Sequence, residues 1–257
     1  LAAASTAATI ASGSGQKPAA KFVPLKTKNY YPVTTLLSSV PLESKLPLVQ
    51  SLNEKCFSLS PMVRKVMVVF HDQERRILVV TSDGVKAEDL QPRSYLSSSV
   101  VAEKNGRWER SGWNFGGRRE FSYYTPALVQ ELAQKSVDRA LVLFEAIQPP
   151  AGEMPVVLGP GVTGVLLHEA IGHGMEADFN RKKISTYCTM LGKKVAEPFV
   201  TIIDDGTVPY LTGSINFDDE GTPAQKTVLV DKGILTSYLH DRISARSYGV
   251  KSTGSGR

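Results

Sequence analysis

The hexapeptide His168-Glu169-Ala170-Ile171-Gly172-His173 constrains this chain more than any other feature. It directly follows the apolar run Val165-Leu166-Leu167. Two imidazoles and a carboxylate this close together are the groups of a hydrolytic zinc site, in which imidazoles bind the metal and the carboxylate takes a proton from water. The chain has 4 histidines, and half of them lie here. Because short patterns also arise by chance, the hexapeptide alone leaves open that its histidines are two unrelated helix residues.

The spacing of the two histidines is incompatible with a shared metal on a regular helix. Residues at i and i+5 of an α-helix lie about 140° apart around the axis, too far for their side chains to reach one ion. A π-type turn pairs i with i+5 and returns both side chains to one face. Gly172 and Gly174 weaken the competing regular helix. We therefore predict a π-type widening, or a helix end, around Ile171–Gly174.

The composition is that of a globular protein and excludes several classes. No apolar run approaches the ~20 residues of a membrane span, so no membrane segment is expected. The net charge of +5 is mild, and the densest basic run, Arg181-Lys182-Lys183, is interpreted as a solvated loop, with a contact for acidic partners as the alternative. We therefore expect no direct nucleic-acid binding. Cys56 and Cys188 form no CxxC pair, which favours a reducing cytoplasm without disulfides; Cys56 is predicted to be a buried core thiol.

Residues 21–150 are predicted to form a central α+β domain. Its first helix has Ser44 as N-cap and Pro47 in the first turn. Asn105-Gly106 is a strong signal for a type I′ hairpin turn. The predicted elements are a helix Ser44–Leu59, a hairpin of Val66–Phe70 and Arg76–Thr81 around a polar turn at 71–74, a hairpin of Tyr95–Ala102 and Arg107–Trp113, and a long helix opening at Thr125-Pro126.

Residues 151–257 are predicted to begin a second domain, with the boundary at Pro149–Gly152. The helix that carries the hexapeptide should run from about Gly161 to Ala177. The other predicted elements are a buried strand Met154–Gly159, a strand Phe199–Ile203, a hairpin of Thr227–Val230 and Ile234–Leu239, and a short helix or loop Ser244–Tyr248. Residues 1–20 are interpreted as the end of a small-residue helix followed by a linker.

Several other residues could carry chemistry, but simpler interpretations are favoured. His71 is predicted to be a turn residue and His240 a strand-end residue, neither of them a ligand. Cys188 is a weak candidate for a third metal ligand. Trp108 and Trp113 are expected to pack on their sheet, with a binding role as the weaker alternative.

The second half closely resembles the TldD/PmbA family, in motifs that occur in the family's order. The resemblance is continuous from about Gly152 to Arg257, and upstream it rests on the order of elements. An H-E-x-x-x-H hexapeptide marks TldD-type subunits, whereas PmbA-type (TldE) subunits lack it, so the chain resembles the TldD type. The motifs are Met154–Gly159, Gly164–Arg181, Asp204-Asp205-Gly206, Phe217–Pro223 and Thr253–Arg257.

The resemblance implies a zinc peptidase, with His168 and His173 as Zn²⁺ ligands and Glu169 as general base. It also implies a PmbA/TldE-like partner subunit or a homodimer, and unfolded peptide substrates that include a peptide-antibiotic precursor. The family's older label, modulator of DNA gyrase, finds no support for DNA binding in the composition. Glu176 and Asp178 match the family pattern. Glu176 could orient a ligand through a hydrogen bond, or it could be a helix-end charge facing water.

One departure from the family pattern bears on activity. The family's third ligand is a cysteine beyond Arg257, and neither Cys56 nor Cys188 aligns with it. The chain is therefore expected to be a central fragment, with residues 1–20 ending a truncated N-terminal domain. By itself it should bind metal weakly and be inactive.

Together these observations predict an α+β fold with antiparallel or mixed sheets and packed helices in two domains, the second carrying the H-E-x-x-x-H helix. The predicted activity is metal-dependent hydrolysis of peptide bonds. A non-catalytic binding or scaffold subunit and a metal hydrolase acting on small amides are the alternatives. The acids Asp218, Asp219 and Glu220 are interpreted as solvated turn residues in preference to a substrate role.

Overall fold

The fold is taken from a computed structural model that describes Ala4, Ser5, Ala8 and residues 22–256. It is α+β, as predicted, with a four-stranded mixed sheet, a three-stranded antiparallel sheet and packed helices. The predictions for residues 1–20 fall almost entirely outside the described residues. Among the described residues, no helix has both the length and the apolar character that crossing a bilayer requires.

The first sheet is built on one long central strand, β3, which pairs with β2 along one side and with β1 and β4 along the other. Asn105 and Gly106 join β3 to β4 with φ of 51° and 82°, so the predicted type I′ hairpin is confirmed. The elements are β1 (Val23–Pro24), α1 (Leu42–Ser58), β2 (Val63–Val80), β3 (Val85–Lys104), β4 (Arg107–Gly117) and α2 (Pro126–Leu141).

The predicted hairpin of Val66–Phe70 and Arg76–Thr81 is wrong, because β2 runs unbroken from Val63 to Val80. Its polar stretch remains in the strand since β3 pairs with it throughout, with His71 opposite Tyr95. Asp72 accepts a hydrogen bond from Lys45 Nζ at 2.5 Å. Tertiary pairing therefore overrides a local turn signal, and His71 is a strand residue.

Helix α1 begins three residues earlier than predicted, since its N-cap is Pro41 and not Ser44. Pro41 offers no side-chain hydrogen bond. Ser44 therefore lies inside the first turn, and Pro47 lies in the second turn. The apolar face still packs as expected, since Leu52 and Cys56 are fully buried. Burial raises the pKa of the Cys56 thiol to about 11, as expected of an inert core cysteine.

Helix α2 closes the core over the same face of the sheet. Its buried stripe meets the inward side chains of β3, among them Leu96 and Val100. Trp113 packs against this core as predicted, whereas Trp108 is 60% exposed and does not. The buried stripe consists of Val129, Leu132, Ala133, Val137 and Ala140.

The cap of α2 provides a first test of the fold. Thr125 Oγ1 accepts a hydrogen bond from Leu128 N at 3.3 Å, and Pro126 takes the first helical position. Replacing Thr125 with Ala leaves that N–H without its partner and should lower the free energy of unfolding by about 1 kcal/mol. Urea unfolding measures this change. An unchanged midpoint would show that the cap contributes nothing.

The second sheet carries the chain around the hexapeptide. Its core gathers Met175, Leu229, Val230, Leu235 and Tyr238. The predicted hairpin around Lys232 is confirmed, although its second strand is shorter than expected. The elements are α3 (Thr163–Leu167), a π turn (His168–Gly172), a 3-10 turn (His173–Met175), α4 (Ala177–Arg181), β5 (Ile202–Asp205), β6 (Lys226–Asp231), β7 (Ile234–Leu235) and α5 (Arg242–Tyr248).

The predicted buried strand Met154–Gly159 is wrong. This segment has no strand pairing, and Val157 is 99% exposed. A short apolar run does not by itself distinguish a strand from other local structure. A strand also requires a neighbouring strand that completes its backbone hydrogen bonds. Within residues 22–256 no strand lies beside it.

Candidate metal centre

The helix that carries the hexapeptide changes its winding at the first histidine. After α3, residues His168–Gly172 form a π turn, in which His173 N–H donates to His168 C=O. A 3-10 turn, His173–Met175, follows and ends the helix. The predicted widening and helix end are both confirmed. Their physical effect is that two imidazoles five residues apart return to the same side of the chain.

The two imidazoles and the Glu169 carboxylate converge in space. The rings of His168 and His173 have centroids 4.4 Å apart and are inclined by 70°. Glu169 Oε2 lies 3.8 Å from His173 Nε2. One ligand atom from each of the three residues lies within 4.8 Å of the others. Within the described part of the chain, this is the only such convergent group of potential ligands.

Glu176 fixes the direction of the second imidazole. Its Oε1 lies 2.6 Å from His173 Nδ1, so the predicted orienting hydrogen bond is present. Because Nδ1 is engaged by the carboxylate, Nε2 is the ring nitrogen left with a free lone pair. Glu169 approaches that same nitrogen. The arrangement is therefore directional, with a carboxylate behind the imidazole and an open ligand position in front.

The donor set suits a zinc-type ion. Imidazole nitrogens and carboxylate oxygens are accepted by zinc, and a catalytic site keeps one position open for water or substrate. All three side chains are exposed, so the position in front of them is accessible. The carboxylate behind His173 also matches the hydrogen bonding that usually supports a ligand histidine.

A large cavity with a volume of about 880 Å³ opens beside His168, His173 and Glu176, which line it. Asp204, near the end of β5, also lines it and interacts electrostatically with His168. Although Asp204 is exposed to solvent, partial desolvation and the neighbouring Asp205 raise the pKa of its carboxyl, and His168 opposes the shift. The sequence analysis did not identify Asp204 as a site residue. The sequence feature that could have indicated it is the acidic pair Asp204-Asp205, which follows the predicted strand Phe199–Ile203.

The first sheet holds one wall of this cavity. Arg118, which follows β4, donates from Nε to Ser214 O at 2.7 Å and from its backbone N–H to Tyr210 O at 3.0 Å. Asn216 Nδ2 donates to Asp89 of β3 at 2.8 Å. The loop that lines the cavity is thus tied to the neighbouring sheet by buried polar bonds.

Asp218 is not the solvated turn acid that the sequence suggested. It is 2% exposed, and its carboxylate accepts from Glu220 N at 3.0 Å, Thr222 N at 2.8 Å and Gly256 N at 2.8 Å. A buried carboxylate is retained where backbone N–H groups satisfy it. Asp218 therefore joins two loops at the cavity wall, whereas Asp219 is exposed as predicted.

The sequence matches two domains of one metallopeptidase family. Residues 36–144 match the PmbA/TldA metallopeptidase central domain, and residues 151–257 match the PmbA/TldA metallopeptidase C-terminal domain. The chain belongs to the PmbA/TldD family. The resemblance inferred from the motifs is therefore confirmed.

Curated members of the PmbA/TldD family include close relatives of this chain. A metalloprotease TldD homolog from Haemophilus influenzae is 40% identical over 232 residues, which cover 88% of this chain and 48% of the relative. A metalloprotease from Methanothermobacter thermautotrophicus is 34% identical over 220 residues, covering 86% and 48%. The chain thus spans about half the length of these relatives. Their names describe a family of metal-dependent proteases.

Solved structures of PmbA/TldD-like proteins share the fold. A Thermotoga maritima protein described as a candidate modulator of a DNA gyrase superposes with a TM-score of 0.77 at 21% identity, over 95% of this chain and 55% of that chain. TldE from Thermococcus kodakarensis superposes with a TM-score of 0.72 at 18% identity, over 98% and 56%.

The other candidate residues of this PmbA/TldD chain do not join the convergent group. His71 lies in β2. His240 is buried between Tyr238 and Tyr248, and burial lowers the pKa of its imidazole. Cys188 is half-buried, and its sulfur is not among the converging ligand atoms.

The two glycines of the motif have different roles, which gives a matched pair of variants. A Cβ on Gly174 would lie 2.9 Å from the Tyr187 ring, whereas one on Gly172 would lie 3.6 Å from His168 Nδ1, an ordinary contact. Gly174→Ala should therefore cost about 1–3 kcal/mol of stability through overpacking, and Gly172→Ala should be nearly neutral. Thermal unfolding of the two variants checks this. Equal effects would contradict the packing argument.

Proposed function

We propose that the complete protein hydrolyses peptide bonds with a zinc ion held by His168 and His173 and with Glu169 as the general base. The observation that carries this proposal is the π turn, which brings two histidines at a non-helical spacing onto one side of the chain. His168, Glu169 and His173 are exposed, so their own burial does not account for the turn, although Ile171 within it packs against the second core. Turns of the π type are rare in proteins and are frequently found at functional sites, which is consistent with a functional role here.

The chemistry that zinc supplies in such a site is Lewis acidity, which lowers the pKa of water to about 7 and polarises a carbonyl. Glu169 would serve as the general base, taking a proton from the attacking water and passing it to the leaving amine. Its carboxylate lies 3.8 Å from the His173 nitrogen that would bind the ion, close enough for this role. Glu176 holds His173 through the opposite ring nitrogen.

The proposed substrate is an extended, unfolded peptide or precursor peptide. The cavity volume of about 880 Å³ accommodates several residues of an extended chain. Strand β5 is the terminal strand of its sheet, and Asp204 and Asp205 of that strand line the cavity. A peptide added to this edge would be held by main-chain hydrogen bonds, which select for an unfolded backbone more than for sequence.

The proposed assembly is a TldD-type subunit with a PmbA/TldE-like partner or a second copy of itself. The family assignment supports this proposal, as does the TldE-like fold. A cytoplasmic location is proposed because both cysteines are free. The 257 residues alone should hold zinc weakly and be inactive, since two imidazoles are fewer than the usual three protein ligands of a catalytic site.

Metal content and a substrate panel test this function. We expect the complete protein to contain zinc and to cleave unfolded peptides in preference to small amides. His168→Ala should lose both properties, whereas His71→Ala, which changes an exposed histidine of β2, should keep them. A protein without bound metal would favour the scaffold alternative. Preferential cleavage of small amides would favour the alternative of a metal hydrolase that acts on small amides.

A further inference from the structure

The helical winding is interrupted shortly after the second histidine. The 3-10 turn ends at Met175, Glu176 is extended with φ −69° and ψ 129°, and α4 begins at Ala177. Glu176 thus occupies a single extended residue between two helical turns. Its side chain is partly exposed, so packing alone does not fix it. Its backbone position determines where the side chain starts and therefore whether the carboxylate reaches His173 Nδ1.

Asn180, one turn further along α4, holds that backbone. It is 2% exposed. Its Nδ2 donates to Gly174 O at 2.9 Å and to Glu176 O at 2.8 Å. Both protons of one amide are therefore used on the two carbonyls that flank Met175. An asparagine carboxamide is well suited to this task, because it supplies two donors in a fixed plane.

A second set of backbone hydrogen bonds holds this interruption, through the isolated bridge between Glu176 and Leu239. Ala177 N donates to Leu239 O at 2.8 Å, and Leu239 N donates to Met175 O at 3.0 Å. Ser185 Oγ also donates to Gly174 O at 2.6 Å. Asn180 therefore differs from Ser185 in one respect, since only Asn180 also reaches the carbonyl of Glu176.

We infer that Asn180 is a positioning residue of the metal centre. It holds the Glu176 backbone so that the Glu176 carboxylate engages His173 Nδ1 and leaves Nε2 directed at the metal position. This inference rests on the proposed metal site. Loss of Asn180 should therefore resemble loss of Glu176, because both act on the same imidazole. Hydrogen-bonded groups behind a ligand histidine typically change metal affinity by about 10–100-fold.

A double-mutant cycle in the complete protein tests the inference. Asn180→Asp keeps the shape but replaces both donors with an acceptor, and Glu176→Gln removes the charged partner of His173. Each is expected to weaken zinc binding, measured against a competing chelator, by about 10–100-fold. The zinc affinity of the double variant should lie within about 3-fold of that of the weaker-binding single variant, because the effects of coupled residues are not additive. Ser185→Ala, the matched control, should stay within about 3-fold of the wild type.

Two outcomes would overturn the inference. One is a double variant whose loss equals the product of the single losses, which would mean that Asn180 acts only on general stability. The other is wild-type affinity in Asn180→Asp. If that variant fails to fold, as judged by circular dichroism without zinc, Asn180→Ser takes its place in the cycle, since it keeps a neutral donor that cannot reach both carbonyls.

A metal-free measurement separates this inference from the proposed function. The ¹⁵N shifts of the His173 ring report which nitrogen carries the proton. In the zinc-free wild type the proton should lie on Nδ1, facing Glu176, and Asn180→Asp should shift this population while Ser185→Ala does not. If the wild type takes up no zinc, the proposed metal site falls, and the ring shifts still decide whether Asn180 positions Glu176.

Discussion

Replacing Glu169 with Gln in the complete protein should reduce peptide hydrolysis by roughly 10²–10⁴-fold, the usual contribution of a general base. Gln keeps the shape of the side chain but cannot accept the proton. Zinc content should remain nearly unchanged, because His168 and His173 are the proposed ligands. Steady-state kinetics and metal analysis on the same preparation provide the two measurements.

The control for this variant is Glu131→Gln. Glu131 is an exposed glutamate on α2 that pairs with Lys135, away from the cavity lining, so its replacement should change neither activity nor zinc content. If Glu169→Gln loses zinc in proportion to activity, Glu169 is a metal ligand and not the base. Full activity in that variant would remove Glu169 from the mechanism.

Removing the Asp218 carboxylate should have the largest effect on stability. Asp218→Ala leaves three backbone N–H groups, of Glu220, Thr222 and Gly256, without their buried acceptor. Each unsatisfied buried donor costs about 1–3 kcal/mol, and relaxation recovers part of this, so we expect a loss of roughly 3–5 kcal/mol. Because these loops line the cavity, residual folded protein should also show weakened substrate binding.

The neighbouring acid provides the control for this experiment. Asp219 is exposed, and its backbone N–H, which an alanine retains, donates a hydrogen bond to Gly256 O. Asp219→Ala should therefore stay within about 0.5 kcal/mol of the wild type, as is usual for surface substitutions. Urea unfolding of both variants decides the matter. Similar midpoints would mean that the buried carboxylate does not hold the loops together.

Local signals predicted the elements whose cause is local. The Asn105-Gly106 turn and the Thr125-Pro126 helix start were both correct, because backbone preference at a few residues determines them. The π turn was also predicted, since the i,i+5 histidine spacing is incompatible with a shared site on a regular helix. The three residues of the convergent group were thus identified from sequence alone.

The errors arose where distant residues decide the outcome. The polar stretch after Phe70 looked like a turn, yet β3 pairs with it as a continuous strand. Asp218 looked solvated, yet Gly256, nearly forty residues away, brings a backbone donor to it. Asn180 was not singled out from the sequence, because its importance depends on two backbone carbonyls, of Gly174 and Glu176, that only the folded structure brings to its amide.

Some predictions are not decided by the fold. The roles of His168, Glu169 and His173, the identity of the metal as zinc, and the partner subunit stay predictions, as does the division into domains at residues 1–20, 21–150 and 151–257. The roles and the metal depend on a bound ion, and the assembly depends on a second subunit, whereas the structure shows only which side chains of this chain converge.

The most direct test of the central claim is a crystal structure of the complete protein with zinc, with diffraction measured above and below the zinc absorption edge. We expect one anomalous peak about 2.0–2.1 Å from His173 Nε2 and from a ring nitrogen of His168, with His173 N–H still donating to His168 C=O. A regular α-helix through residues 168–173, with the imidazoles on opposite sides and zinc bound elsewhere, would contradict the account.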